Sequence, residues 1–251
     1  QLNVALRNSA TPRLGLWSIL TRRRVHPDLA RTYPNAFAQR VGDAYARLQE
    51  ARTLYQNRLW LVLVYRVTAL RTQVAISKQT DQRLVRDLLI AGIDELEDIA
   101  AKLGSALTDY GPRRLGTHSH GGTLAGNRFS EIGELYSLLL NHTSERVPVG
   151  PYDLSQAVGC NRLLFGREVF EVRRPGDSRF GAALAIKEYL PQTYPEMFTG
   201  LMEEPYELNW VQSFTFLDKD KAKDLFTTQR RRLVSAGDAA VSQVAALEEA
   251  M

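Results

Sequence analysis

The feature that most constrains the fold is the run of residues 59–67 (LWLVLVYRV), which is apolar on both faces of an extended chain. Its β-branched and aromatic side chains are typical of a β-strand, and the lack of alternation predicts a central strand covered on both sides. The strongly apolar part, residues 59–65, is far shorter than the roughly 20 residues that cross a bilayer. We therefore expect a sheet that is covered by other elements on both faces. We also expect any membrane association to come through partner proteins.

Two long amphipathic helices are predicted in addition to this strand. In residues 79–110, apolar side chains recur at three- and four-residue intervals until Gly111 and Pro112 end the pattern. A helix of this span would be about 45 Å long. A second helical pattern begins at Asp218, a residue type that suits the N-cap position, and continues to Met251.

Shorter elements complete a predicted α+β fold with mainly antiparallel strands. Apolar or alternating residues predict strands, and helical spacing predicts short helices. The predicted strands are residues 13–25, 162–165, 168–174, 179–189 and 206–217, the predicted short helices are residues 1–10, 35–53, 129–140 and 191–202, and residues 116–126 are a Gly-rich loop. Because βαβαβ alternation is missing, a doubly wound nucleotide-binding fold is not expected.

The chain is expected to divide into two α+β sub-domains, residues 1–145 and 146–251. The boundary is placed in the connection at residues 142–152, which contains Pro148 and Pro151. Helical patterns run close to both ends without a terminator, which indicates that the sequence is a piece of a longer protein. Cys160 is the only cysteine, so no intrachain disulfide can form, as suits a reducing compartment such as the cytoplasm.

No motif for catalysis or nucleotide binding is present in the sequence. A phosphate-binding loop ends in Gly-Lys followed by Ser or Thr, and the dipeptide Gly-Lys occurs nowhere in the chain. The G-x-S-x-G motif of serine hydrolases is also absent. Cys160 has no local signature of a nucleophile and is expected to be a small buried apolar residue. We therefore predict no catalytic and no nucleotide-binding residue in this chain.

Two patterns resemble metal ligands, but each has a simpler explanation. His118 and His120 form an H-x-H pair in the Gly-rich loop, and no third ligand is evident nearby. Asp218 and Asp220 lie at the start of the last helix, where acidic residues favour the helix dipole. We therefore predict no metal site and no cofactor here. A free-standing metal-dependent hydrolase is the least favoured of the alternative functions.

Two arginine runs are candidate contact sites for a phosphate or a partner. These are Arg22, Arg23 and Arg24 at the end of a strand, and Arg230, Arg231 and Arg232 on the last helix. Arginine suits both phosphates and carboxylates. The formal net charge is only +4, from 32 basic and 28 acidic residues, which is weak for a nucleic-acid groove. Protein contacts are favoured, and a nucleic-acid-binding module remains the alternative.

Several segments, in order, resemble the N-terminal region of type IV secretion ATPases, the VirB/TrbE/CagE family. The strand at residues 57–66 (NRLWLVLVYR) is the most specific of them. Further similar segments are Arg22 to Arg24, residues 54–55 (LY), 110–115 (YGPRRL), 131–141 (EIGELYSLLLN), 162–166 (RLLFG), 180–189 (FGAALAIKEY), 214–218 (FTFLD) and 229–239 (QRRRLVSAGDA). One departure is Val67, where the family has proline. The resemblance covers nearly the whole chain.

This resemblance implies a role as the part of the protein that holds a motor in place. Family members bind ATP and Mg²⁺ in a C-terminal motor domain, which would follow Met251, so no catalytic residue carries over to this chain. The implied function is docking and oligomerisation for an ATPase that energises pilus assembly and transfer of DNA or protein. The implied location is the cytoplasmic face of the bacterial inner membrane, and the implied partners are inner-membrane secretion subunits, other copies and the motor domain.

Overall fold

The computed structural model describes residues 2–26, 29, 31–66, 82–120, 126–186, 194 and 196–236. They belong to two compact units. Unit 1 comprises Gln1–Tyr110 and Pro191–Met251, and unit 2 comprises Gly111–Leu190. Among the described residues, no helix is both long enough and apolar enough to cross a membrane.

Unit 1 is built on a three-stranded antiparallel sheet. Strand β1 (Leu14–Val25) lies in the centre, between β2 (Leu54–Tyr65) and a strand from the end of the chain, β8 (Leu208–Thr215). The prediction that residues 59–67 form a central strand is therefore wrong, because within the described sheet β2 lies at an edge. Its Leu59 is 64% exposed, whereas Leu14 and Ile19 of β1 are each 1% exposed.

The main buried cluster of unit 1 lies on one face of this sheet, while Ile19 is buried on the other face. Helix α1 (Leu2–Ser9) packs on helix α3 (Gln82–Ala106). Ile99 and Leu103 of α3 form the buried cluster with Leu14 of β1. Partly buried residues that complete this cluster are Leu6, Leu63, Tyr65 and Phe216. Helices thus pack on the part of this sheet face around Leu14.

The helices of unit 1 follow the predicted periods with shorter bounds. Helix α2 (Ala36–Glu50) begins at Asn35, whose Oδ1 accepts a hydrogen bond from the N–H of Ala38 at 2.7 Å. Helix α3 ends at Ala106 and is followed by a 3₁₀ turn at Thr108–Tyr110, while residues 79–81 of its predicted span lie outside the described residues. A second 3₁₀ turn occupies Thr199–Met202 of the helix predicted at residues 191–202; of that span, residues 191–193 and 195 lie outside the described part.

Unit 2 combines two small sheets with two helices. Strands β3 (Thr117–Ser119) and β4 (Arg128–Ser130) pair antiparallel ahead of helix α4 (Glu131–Asn141) and the short helix α5 (Leu154–Val158). The second sheet is an antiparallel meander of β5 (Arg162–Phe165), β6 (Phe170–Arg174) and β7 (Asp177–Gly181). The turn between β6 and β7 contains Gly176 at φ +81°, a backbone conformation that glycine adopts without strain.

Three predicted elements of the C-terminal part differ from the structure in extent. The Gly-rich stretch is not all loop, because Thr117–Ser119 pairs with β4, and residues 121–125 lie outside the described residues. The strand predicted at residues 179–189 is β7, which ends at Gly181, and residues 187–189 lie outside. The last helix is described as α6 (Lys219–Ala236), and its predicted continuation through residues 237–251 also lies outside the described part.

The fold class is confirmed, since the described residues form helices and exclusively antiparallel strand pairs. The two compact units contain different residues from the two predicted sub-domains. Residues 145 and 146, the two sides of the predicted boundary, both lie in unit 2, and unit 1 gathers both ends of the chain. The reason is that β8 pairs with β1, a long-range contact that a pass along the sequence does not reveal. The division at residue 145 into folding sub-domains stays a prediction.

Replacing Leu14 with alanine should destabilise the protein strongly. The side chain is buried against Ile99 and Leu103, so its removal leaves a cavity and should cost about 2–5 kcal/mol in the free energy of unfolding. Leu59→Ala is the matched control, because Leu59 is largely exposed and its loss should cost less than about 1 kcal/mol. Urea unfolding followed by circular dichroism measures both. Equal costs would contradict the described core.

Candidate docking surfaces

Arg22 is a buried residue near the end of β1, with 7% of its surface exposed. Its Nε donates to the carbonyl oxygen of Glu204 at 3.0 Å, and a terminal nitrogen donates to Asn57 Oδ1 at 3.1 Å. Its guanidinium also lies over the ring of Tyr55, 4.2 Å from the centroid. A buried charge is stable when it is partnered in this way. Arg22 therefore joins β1 to β2 and to the segment before β8.

The two following arginines are in different environments. The terminal nitrogens of Arg23 donate to the carbonyl oxygen of Leu208 at 3.4 Å and to Asn209 Oδ1 at 2.7 Å. Burial lowers the pKa of the Arg23 guanidinium, and the charge of Glu207 opposes this shift; the group stays charged, since arginine keeps its proton in proteins. Arg24 is exposed, and its backbone N–H donates to Glu207 Oε1 at 2.9 Å. Of the three, only Arg24 offers most of its side chain to a partner.

The second arginine run is at the surface. Arg230, Arg231 and Arg232 are all exposed on α6. Neighbouring positions on a helix are about 100° apart, so the three side chains leave the helix in different directions. The prediction that either run contacts a partner or a phosphate stays a prediction. For Arg22 and Arg23, however, the structure supplies contacts within the chain.

The two histidines of the H-x-H pair have different surroundings. His118 Nε2 lies 2.7 Å from Glu134 Oε1, and its ring stacks on Phe129 with the centroids 5.7 Å apart. His120 is exposed. Among the residues that the structure describes, no group of three or more His, Cys, Asp or Glu is placed to hold a metal ion. The contacts of His118 instead connect the β3–β4 hairpin to α4.

Cys160 and Asp218 also make local contacts. Cys160 is exposed, so the expectation that it is buried is wrong; it follows the end of α5, and its thiol donates to the carbonyl oxygen of Ala157 at 3.7 Å. Asp218 lies 3.3 Å from Lys221 Nζ, and its carbonyl accepts from the N–H of Ala222 at 2.9 Å. The contacts of Asp218 are those of a residue that opens a helix.

Glu131 joins three parts of unit 2. Its Oε2 accepts from the N–H of Gly116 at 2.6 Å, and its Oε1 lies 2.6 Å from a terminal nitrogen of Arg113. These two hydrogen bonds, the backbone one first, hold the pKa of the Glu131 carboxyl below its usual range, and the charge of His118 acts in the same direction. The carboxylate thus fixes the segment before β3 against the start of α4.

Unit 1 exposes an apolar surface on the sheet face opposite Leu14, which we call the Trp17 face. Trp17 is 44% exposed, and it pairs with Val62 of β2. Val64 is 41% exposed and Val211 49% exposed, and alternation along the strands places both on the same face as Trp17. Trp60 belongs to this face too, with its indole N–H donating to Thr21 Oγ1 at 2.9 Å. Ile19, on the same face, is 1% exposed, so the exposed apolar area is that of Trp17, Val64 and Val211. Exposed apolar side chains that lie close together favour an interaction surface.

A second exposed apolar surface lies on helix α2, and we call it the α2 stripe. It consists of Phe37, Val41, Tyr45 and Leu48, which are 71%, 54%, 57% and 52% exposed. None of the residues of this helix is buried. The sequence revealed the three- and four-residue spacing of these residues, but spacing alone does not distinguish a core-facing stripe from a solvent-facing one.

Residues 120–251 match the model of the CagE, TrbE, VirB family, a component of the type IV transporter system, and residues 1–72 match the model of the N-terminal domain of the type IV secretion system ATPase VirB4/TrbE. The first match alone covers more than half of the chain.

Curated relatives align over almost the whole chain. The type IV secretion system protein virB4 of Bartonella henselae is 30% identical over 265 residues, covering 100% of this chain and 32% of the relative. Protein virB4 of Agrobacterium fabrum is 30% identical, covering 99% and 31%. The type IV secretion system protein PtlC of Bordetella pertussis is 30% identical, covering 97% and 30%. The chain thus spans about a third of the length of the curated relatives it matches.

Arg22→Ala should destabilise the protein rather than merely weaken a surface contact. It leaves the acceptors on Asn57 and Glu204 without their buried donor, at a cost of about 1–3 kcal/mol in the free energy of unfolding. Arg24→Ala is the neighbouring control and should change stability by less than about 0.5 kcal/mol. Thermal unfolding of both variants decides the matter. An Arg22→Ala protein as stable as the parent would show that these contacts contribute little.

Glu131→Gln should lower the thermal stability of the protein at neutral pH and have little effect in acid. Because the folded-state pKa of Glu131 lies below its usual value of about 4.3, its contribution is present above that value and disappears as the pH falls through the folded pKa. Melting temperatures measured stepwise from pH 7 to well below the usual pKa show where the difference disappears. Glu168→Gln, at an exposed position, serves as the control. A difference that persists in acid would contradict this assignment.

Proposed function

This chain belongs to the CagE, TrbE, VirB family of type IV transporter components, and from this membership we propose that it is a docking and oligomerisation domain of a type IV secretion ATPase. In this role it attaches the ATPase to inner-membrane subunits of the secretion system and to other copies of itself. The observation that carries the proposal is the Trp17 face, where Trp17, Val64 and Val211 are exposed on a three-stranded sheet.

The composition of the Trp17 face supports a protein partner. Aromatic residues are enriched at the centres of protein interfaces, and this face carries Trp17 and Trp60 among valines. Charged side chains lie at one end of the same face, at Arg58 and Arg23. A surface with an apolar centre and charged residues at one end suits a partner protein whose own contact surface is apolar at its centre. We assign this face to an inner-membrane subunit.

ATP and Mg²⁺ belong, in this proposal, to a part of the protein that this sequence does not contain. The sequence lacks a phosphate-binding loop, and the chain spans about a third of its relatives, so there is room in proteins of that length for a separate motor. The complete protein would then hydrolyse ATP to energise pilus assembly and the transfer of DNA or protein. The residues described here would hold that motor at the cytoplasmic face of the inner membrane.

A nucleic-acid-binding role is the alternative, and the structure makes it less favourable. Arg22 and Arg23 are occupied by contacts within unit 1, which leaves Arg24 and the run on α6 as the exposed members of the two runs. A groove that follows a phosphate backbone needs a cluster of positive charge on one face. The docking role requires no such cluster.

Trp17→Gln combined with Val211→Thr should weaken capture by the inner-membrane subunits. The two changes remove apolar surface from the centre of the Trp17 face, and central apolar anchors each contribute about 2 kcal/mol or more to binding, so affinity should fall at least about tenfold. The complete protein and the subunits are co-produced and the complex is purified from detergent. Val149→Thr, another exposed valine, is the control. Undiminished capture by the double variant would contradict the assignment of this face.

A further inference from the structure

The outer edge of β2 is a long, open strand edge. β2 (Leu54–Tyr65) has 12 residues, about twice the usual length of a strand, and it pairs with β1 along its whole length without a bulge. Among the described strands, none pairs with its other side. Leu59, midway along the strand, is 64% exposed. The backbone N–H and C=O groups of such an edge can bind a further strand.

Hydrogen bonding to β1 fixes which residues of β2 face outward. The N–H of Arg66 donates to the carbonyl oxygen of Arg13 at 2.8 Å, and these two residues continue the register of β1 and β2. Hydrogen-bonded pairs alternate along antiparallel strands. The even-numbered residues of β2 therefore bond to β1, and the odd-numbered residues direct their N–H and C=O groups to the open edge. The outward residues are Tyr55, Asn57, Leu59, Leu61, Leu63 and Tyr65.

The sequence of β2 does not protect this edge. Natural sheets commonly block an edge with charged side chains, with proline or with a bulge. Residues 54–65 (LYQNRLWLVLVY) contain one charged residue, Arg58, and no proline. Residues 59–65 are apolar on both faces, which is typical of a central strand. The described strands supply only one of the two neighbours that a central strand has.

We propose that β2 of one copy pairs antiparallel with β2 of a second copy, which joins the two three-stranded sheets into one continuous sheet. This inference rests on the proposed oligomerisation and names the edge that performs it. The two copies are related by a twofold axis that crosses the sheet at Trp60. In this register each outward residue faces another outward residue, in the pairs Tyr55–Tyr65, Asn57–Leu63 and Leu59–Leu61.

The side chains favour β2 of the second copy over β8, the other edge strand of the sheet. Side chains directly opposite each other on paired strands are in contact, so a strand that pairs with residues 59–65 should be apolar on both faces. β2 meets this requirement. β8 does not, because it carries Asn209, Gln212 and Ser213 among its apolar residues. Pairing like edge with like edge also gives a closed, twofold-symmetric dimer.

The charges near the edge allow this pairing. Arg58 is the one charged residue within β2, and the two copies of Arg58 are four residues apart along the paired strands, about 14 Å. At the two ends of the pairing, Arg52 and Arg66 are exposed to solvent, where like charges interact weakly. Arg13 and Glu95, both beside Tyr65, have opposite charges. No like charges therefore face each other directly across the joined strands.

The pairing also has a consequence for the Trp17 face. A twofold axis perpendicular to the sheet keeps each face on its own side, so the Trp17 faces of the two copies become one surface. The two copies of Trp60 are neighbours at its centre, and aromatic pairs of this kind add to cross-strand stability. The dimer then presents two docking faces to the same side. This arrangement suits partners that lie in one membrane.

Cysteine crosslinking in the complete protein tests the register. Every native cysteine, Cys160 included, is replaced by serine, and copper phenanthroline is the oxidant. The Cα atoms of a non-hydrogen-bonded cross-strand pair are about 4.5 Å apart, which suits a disulfide. Trp60→Cys should give a covalent dimer, because this residue faces itself across the axis. Val62→Cys is the matched control on the same face and should give none, because it faces Arg58 of the other copy.

A second pair of cysteines leaves the tryptophan in place. Arg58→Cys combined with Val62→Cys should give the covalent dimer, whereas Arg58→Cys alone should not. This double variant keeps the test valid if Trp60→Cys does not fold. Crosslinking of the two single variants, or the lack of a dimer in the double variant, would overturn the proposed register.

A proline on the outer edge tests the hydrogen bonds of the pairing. Leu59→Pro removes an outward N–H, and proline is tolerated there because no hydrogen bond to β1 is lost. Self-association of the complete protein, measured by analytical ultracentrifugation, should weaken at least about tenfold. Leu59→Lys, which places a charge on the edge, should act in the same direction. Ser213→Pro, at an outward position of β8, is the matched control and should leave self-association unchanged.

The outcomes separate this inference from the proposed function. If the parent protein does not self-associate, the oligomerisation role itself fails. If the parent associates and both Leu59 variants associate equally well, the pairing of β2 is overturned while the oligomerisation role stands. Weakening by Ser213→Pro alone would place the contact at β8 and also overturn it. If Leu59→Pro loses capture by the inner-membrane subunits with self-association unchanged, the edge binds a strand of another protein, and the pairing of two copies is overturned.

Discussion

The antiparallel pairing of β1 with both β2 and β8 is the interaction on which unit 1 depends. It brings together residues 14–25, 54–65 and 208–215, and so it closes a long loop of chain. Such closure is entropically costly and has to be offset by burial and hydrogen bonding. Leu14 and Ile19 supply the burial within β1, and Arg22 and Arg23 supply hydrogen bonds to the segments on either side. The arginines are therefore part of the closure.

The sequence predicted local structure well because local structure depends on local patterns. The bounds of β1, α2, β5 and α4 lie within a few residues of those that alternation and helical spacing predict. It predicted long-range order poorly. The position of β2 at the edge of the described sheet depends on which strands pair, and nothing in residues 59–67 records that β1 also pairs with β8. The roles of Arg22 and Arg23 were missed for the same reason, since their acceptors on Glu204 and Asn209 lie about 180 residues away.

Sequence patterns also fail to predict which apolar surfaces are exposed. A helical period of apolar residues normally predicts a buried face, yet the α2 stripe and half of α3 are turned to solvent. For α2 the sequence did contain a signal. The side of the helix opposite the stripe carries Gly42 and two alanines, and such small side chains leave little apolar surface for a core on that side. Physically, exposing this much apolar area is unfavourable unless a partner covers it. A chain with no recognisable catalytic motif and several such surfaces fits a family whose relatives are secretion-system components.

The proposed function depends on attachment, in which these residues would hold an ATPase to the secretion machinery. The direct measurement is the distribution of residues 1–251, produced alone in bacterial cells, between membrane and soluble fractions, with and without the inner-membrane subunits of the system. The account predicts sedimentation with membranes only when the subunits are present. The same distribution in both kinds of cell would contradict it.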